Sequence, residues 1–202
     1  TDVSIVGADY TGGLIGRNDD QSVVSNSYST GSVTGTNAVG GLIGRNGESS
    51  EVNNSHSTSS VTGTNRVGGL VGSNYWSSEV NNSYSTSSVT GANKVGGLVG
   101  NNSSSSKVNN SYSTGAVTGT SNNVGGLIGQ NDNQSTVNNS YSTGSVTGTS
   151  NVGGLVGNSS SSTITNSFWD TQTSGTSTGI GAGTTTGATG NTTAQMKTVT
   201  TF

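Results

Sequence analysis

The chain contains no cysteine, no proline and one histidine, and only 7% of its 202 residues are charged. Without cysteine there is no disulfide and no thiolate to act as nucleophile or metal ligand. His56 alone cannot form a histidine metal cluster, and none of the many serines has a recognisable base beside it. Six basic residues, scattered along a chain of net charge −3, form no stripe for nucleic acid. No apolar run approaches the roughly 18 residues that a membrane-crossing helix needs. Hydrophobic residues make up only 26% of the chain and there are 34 glycines, figures that in an aperiodic sequence would point to disorder.

The sequence is strictly periodic instead. Val39-Gly40-Gly41-Leu42-Ile43-Gly44 returns at Val67, Val95, Val124 and Val152, with an earlier copy from Thr11. The first glycine of each pair is Gly12, Gly40, Gly68, Gly96, Gly125 and Gly153, at steps of 28, 28, 28, 29 and 28 residues. An Asn-Ser-aromatic signature keeps pace at Asn26, Asn54, Asn82, Asn110, Asn139 and Asn166, with His56 in the slot that Tyr28, Tyr84, Tyr112 and Tyr141 occupy. A period of this size marks a solenoid.

One period, Val39 to Arg66, divides into short β-branched pieces bounded by Gly, Asn and Ser, which predicts two or three strands per coil. In the segment after Asn26, period-two geometry turns Ser27, Ser29, Gly31, Val33 and Gly35 inward and Tyr28, Thr30, Ser32, Thr34 and Thr36 outward. Three core rows follow: Leu14, 42, 70, 98, 127 and 155; Val24, 52, 80, 108 and 137 with Ile164; and Val33, 61, 89, 117 and 146 with Ile5. Strict alternation cannot bury both Val39 and Leu42, so a bend lies between them at an open position. The fold class expected is all-β, a β-solenoid of about six 28-residue coils stacked about 4.8 Å apart, its hand open, giving a rod roughly 30 Å long. Asn26 and its equivalents are expected to form an amide ladder at a corner. Residues 1–168 form the repeats, beginning in mid-coil; 169–202 are out of phase and read as a Thr/Gly-rich cap or tail, with a short helix starting from Thr192. Thr1 is preceded by no leader-like segment, so the chain reads as a processed product or part of a longer parent.

The repeated Gly-Gly-Leu-[Val/Ile]-Gly, followed by Val24-Ser25-Asn26-Ser27-Tyr28-Ser29-Thr30-Gly31-Ser32-Val33-Thr34-Gly35 and its copies, resembles the GLUG motif. Ser167-Phe168-Trp169-Asp170-Thr171 through Thr193-Ala194-Gln195-Met196-Lys197 resembles the segment that often follows such repeats. The resemblance implies a β-solenoid stalk or adhesive region of a large secreted or surface protein, of the kind found in bacterial and archaeal adhesin-like proteins and in non-catalytic parts of some surface peptidases. It supplies no catalytic residues.

Several local residue clusters carry chemistry of their own. Glu51 and Glu79 fall in the same slot one coil apart and could act as the acid and base of a polysaccharide-cleaving β-helix, but Lys107 holds the next copy and suggests a neutralised surface row. Asn18-Asp19-Asp20-Gln21-Ser22 and Asn131-Asp132-Asn133-Gln134-Ser135 are oxygen-rich, as calcium prefers, yet the other copies lack the acids and solvated turns are expected. Gly179–Gly183 lacks the lysine and strand-to-helix setting of a phosphate loop. The sharpest candidate is an outward face carrying Thr30, Thr34 and Thr36, then Thr58, Thr62 and Thr64, Thr86 and Thr90, Thr114, Thr118 and Thr120, and Thr143, Thr147 and Thr149. Such rows of hydroxyls and methyls would form a flat lattice similar to ice-binding faces, although threonine is also simply a good exposed strand residue. The function expected is a non-enzymatic structural or adhesive segment at the cell surface or outside the cell. It would use no cofactor and no metal, and would self-associate or bind surface proteins or glycans. Ice binding is the alternative and a polysaccharide-acting enzyme the third reading.

Overall fold

The computed structural model describes residues 3–198. They form a parallel β-solenoid in which each coil contributes one strand to each of five sheets. In the second coil these are Gly31–Thr34 (the threonine sheet), Asn37–Gly40 (the valine sheet), Ile43–Gly47 (the long sheet), Glu51–Asn53 (the asparagine sheet) and His56–Ser57 (the aromatic sheet). Each coil has five strands, rather than two or three; non-glycine residues take left-handed φ at two of the breaks, Glu48 and Ser49 at 60° and 61° and Asn54 at 50°, and Arg66 does so at 54° within the strand Asn65–Gly68. Asparagine adopts that conformation readily, whereas arginine and serine are held there by their neighbours. The Asn26 signature is therefore a corner signal, and its exposed amides do form a partial ladder, Asn110 to Asn82 at 3.3 Å and Asn139 to Asn110 at 3.2 Å.

Register places equivalent residues directly above one another, for example Val33, Val61, Val89, Val117 and Val146. All three expected core rows are buried from the second coil onward. Leu14 is 55% exposed, since no described coil lies over it. The bend in the Val-Gly-Gly-Leu segment falls at Gly41–Leu42, between the valine and long sheets, and it lets both Val39 and Leu42 point inward. It also splits the interior in two. Leu42, Ile43 and Val52 with their equivalents fill one lobe, and Val33 and Val39 with theirs fill the other.

Between the lobes the coil is pinched. A Cβ on Gly69 would stand 2.1 Å from the Gly97 carbonyl oxygen and 2.2 Å from Ser85 Oγ, so only glycine fits. Buried serines line this waist: Ser57 Oγ lies 3.0 Å from Ser87 Oγ, which donates to the Gly69 carbonyl at 3.2 Å. A second polar column runs through the interior of the long sheet. Asn18 donates to Asn46, Asn46 to Asn74, Asn74 to Asn102 and Asn102 to Asn131, each at 2.7–2.8 Å. It stops there because the next position in register is Ser159, and Asn131 Nδ2 is left without a partner.

The last described segment continues the stacking. Ser167–Asp170 crosses the boundary drawn at 168 and joins the aromatic sheet, followed there by Ala188–Asn191, while Ile180–Gly183 extends the long sheet. Trp169 packs at the end of the first lobe. Asp170 Oδ1 accepts from the backbone N–H groups of Gln172 and Thr173 at 2.9 and 3.2 Å. The expected helix is a single 3-10 turn, Gln195–Lys197, with the Thr192 N–H donating to Gln195 Oε1 at 2.8 Å. Residues 199–202 of the expected tail lie outside the described residues.

Candidate binding faces

The threonine sheet aligns Thr34, Thr62, Thr90, Thr118 and Thr147 in one exposed column. Thr30, Thr58, Thr86, Thr114 and Thr143 form a second column at the corner before it, where Thr30 and Thr143 are half-buried and the other three exposed. The third column is broken. Thr36 and Thr64 lead to Ala92, whose carbonyl accepts from Ser121 because that coil carries the extra residue; Thr149 Oγ1 then donates to the Thr120 carbonyl at 3.2 Å. Strands of only two to four residues in this sheet make the face narrow, with Ser32, Ser60, Ser88, Ala116 and Ser145 between its first two threonine columns.

The other candidates are occupied. Glu51 and Glu79 stack in register, but Lys107 Nζ donates to Glu79 Oε1 at 2.7 Å and Asn53 Nδ2 to Glu51 Oε2 at 2.8 Å. The Lys107 hydrogen bond, opposed by partial burial and helped by Asn81, holds the Glu79 carboxyl below its ordinary 4.5. His56 lies flat between Tyr28 and Tyr84, with ring centroids 5.4 and 4.7 Å away, and the stack continues to Tyr112 and Tyr141. Burial within it raises the Tyr112 and Tyr141 phenols above 10.0. Asn18 and Asn131, which a calcium loop would need as ligands, are committed to the interior amide column, and Asp19 pairs with Arg17 at 2.8 Å and Arg45 at 3.2 Å.

A second face emerges where the copies disagree. Arg17, Arg45, Ser73, Asn101, Gln130 and Asn158 occupy one column of the long sheet. Beside it runs the corner column Tyr10, Ala38, Arg66, Lys94, Asn123 and Asn151, all at φ between 51° and 59°. Four of the six basic residues, Arg17, Arg45, Arg66 and Lys94, stand on this face. The Arg45 guanidinium is stacked 5.1 Å from the Tyr75 ring centroid, 5.3 Å from Trp76 and 5.9 Å from Tyr10, and its charge is met by Asp19 and by Glu48 at 3.0 Å. Next to it lies a recess of about 180 Å³ whose lining includes Tyr10, Arg66, Tyr75 and Asn101. These residues come from three coils, the first, third and fourth, and the signal that could have found them is divergence within a column that is otherwise in register.

A chain of this kind is a parallel β-solenoid repeat protein held together by side-chain ladders. The profile of the GLUG motif matches residues 7–34, 35–62, 63–90 and 120–147, which is 112 of the 202 residues. The chain belongs to the GLUG-motif family. Among solved structures, a putative immunoglobulin A1 protease from Bacteroides ovatus has a similar fold, with a TM-score of 0.69 and 19% sequence identity over 96% of this chain and 67% of that one. No curated protein matches the sequence.

Proposed function

We propose that this chain is a non-enzymatic, adhesive rod segment of an extracellular or surface protein, with residues 169–202 covering its C-terminal end. The observation that carries this reading is how the repeat uses its residues. Apart from the exposed Thr34 column, positions that stay nearly the same from copy to copy are spent on stacking: the two apolar lobes, the glycine–serine waist and the amide and aromatic ladders. Positions that vary lie on the outside. Stacking of this kind yields length and lateral surface rather than a closed cleft. The groups that hydrolysis would need are engaged elsewhere, His56 in the aromatic stack and Glu79 with Lys107. The family resemblance supports the surface setting. The test is to coat particles with the purified chain, measure adhesion to cells, matrix proteins, glycans and the chain itself, and assay the same glycans and immunoglobulin A1 for cleavage. Adhesion without turnover is expected; cleavage of any substrate would overturn the reading.

The unbroken exposed column from Thr34 to Thr147 favours ice binding as a second reading. Thr90→Tyr in mid-column should then abolish thermal hysteresis. Absence of hysteresis in the unaltered chain, or its persistence in the variant, rejects this second reading.

A further inference from the structure

We infer that the recess between Tyr10, Arg66, Tyr75 and Asn101 binds a carboxylate-bearing sugar unit, a uronate or similar acidic residue of a glycan chain. Two unsatisfied groups point to such a ligand. Arg66 is half-buried, and no ion pair found among the described residues involves it. Its neighbour in the corner column is Lys94, whose backbone lies one strand separation, ~4.8 Å, away. Burial, the largest cause, holds the Lys94 amine below 10.5, and the pull of the Asp132 carboxylate on it outweighs the push from Arg66, which leaves Arg66 as the cation without an anionic partner among the described residues. The second group is Asn101, which is only 8% exposed and whose amide oxygen is buried with no donor. A buried acceptor without a partner is costly, and a ligand hydroxyl would satisfy it.

The aromatic rings supply the remaining element. Tyr10 and Tyr75 stand on either side of the Arg45 guanidinium, which Asp19 and Glu48 neutralise, so Arg45 works as a rigid filler and leaves Arg66 as the available charge. An unpaired cation and a buried hydroxyl acceptor, in a recess bordered by tyrosine side chains, together suit an acidic saccharide. Further along the same column, Asn158 Oδ1 is also buried without a donor, two coils beyond Asn101, where a longer chain could reach it.

This inference rests on the adhesive reading, and the test separates the two. Isothermal titration of the purified chain with an oligogalacturonide, the matched neutral oligogalactoside and an oligoglutamate should show binding of the first alone. Arg66→Gln should weaken it by about tenfold, the loss expected for one charge-assisted contact. Lys107→Gln, on the asparagine sheet, should leave affinity unchanged, and circular dichroism melts should confirm that each variant is folded. Equal binding of the neutral sugar, equal binding of the acidic peptide, or an Arg66→Gln variant with unaltered affinity overturns the inference. If oligogalacturonide fails to bind while coated particles still adhere, the inference falls and the adhesive reading stands; loss of both overturns both.

Discussion

Removing one interior amide should cost this protein more than removing a core methyl group. Asn74 is fully buried, accepts from Asn46 Nδ2 at 2.8 Å, and shares its own two amide hydrogens among Asn102 Oδ1 at 2.8 Å and the carbonyls of Ser78 and Lys107 at 3.2 and 3.1 Å. Asn74→Ala strips Asn102 Oδ1 of the donor it has here and weakens three further contacts. One orphaned buried acceptor at about 1–3 kcal/mol, together with the lost bonds, gives a cost of about 3–5 kcal/mol. Asn131 is the control, because it sits at the far end of the same column. Its Oδ1 accepts from Asn102, which keeps the Ser106 and Thr136 carbonyls, and its Nδ2 has no partner to lose. Asn131→Ala should therefore cost about 1 kcal/mol or less. Ser159→Asn, extending the column by one amide, should stabilise by about 1 kcal/mol or more by giving Asn131 Nδ2 an acceptor. Urea titrations followed by far-ultraviolet circular dichroism, with slopes compared so that a change in cooperativity is recognised, measure all three. Equal costs for Asn74→Ala and Asn131→Ala would refute the ladder argument.

Three further outcomes follow from the same geometry. Gly69→Ala should cost about 3 kcal/mol or more, because its Cβ would press on the Gly97 carbonyl, whereas Gly175→Ala, with nothing within 4 Å and φ 74°, should lose only the ~1 kcal/mol of left-handed strain; thermal melts compare them. His56→Ala should lose about 1–3 kcal/mol from its two ring contacts, and His56→Tyr should recover it; a denaturation midpoint no lower in the alanine variant rejects the stacking term. The Glu79 carboxyl is held below 4.5 in the folded chain, so the Lys107 contact contributes stability above that value and loses it as pH falls through the lowered one. Lys107→Gln should therefore flatten the fall in melting temperature below about pH 5, and an unchanged acid limb contradicts the pairing.

The core was legible because Leu42, Val52 and Val61 recur at a fixed phase, and burial needs little more than that phase. The strand count was not. The Glu48–Ser49 turn shows in its serines, but Arg66 has no turn preference and takes positive φ within the strand Asn65–Gly68, held there by its neighbours. The Asn46–Asn74–Asn102 column escaped notice for a related reason. Asparagine in a sequence reads as a turn former, and nothing local says that its amide will meet its own copy in the next coil. The threonine columns followed directly from alternation, apart from the break that the inserted residue near Ser121 introduces. The Tyr10–Arg66–Tyr75–Asn101 recess was out of reach from any single repeat, since its residues come together only after four coils have stacked.

The direction of the hydrogen bonds has a mechanical meaning. Every strand pairs with its equivalent one coil away, so the bonds between coils all point along the rod. A pull along that axis does not shear them together; it opens them one coil at a time, starting from an end. Each coil that lets go frees 28 residues, about 95 Å of extended chain, in place of the ~4.8 Å it occupied. Under tension the segment would lengthen by nearly twentyfold in discrete steps, yielding in sequence while the coils still stacked keep their surfaces intact.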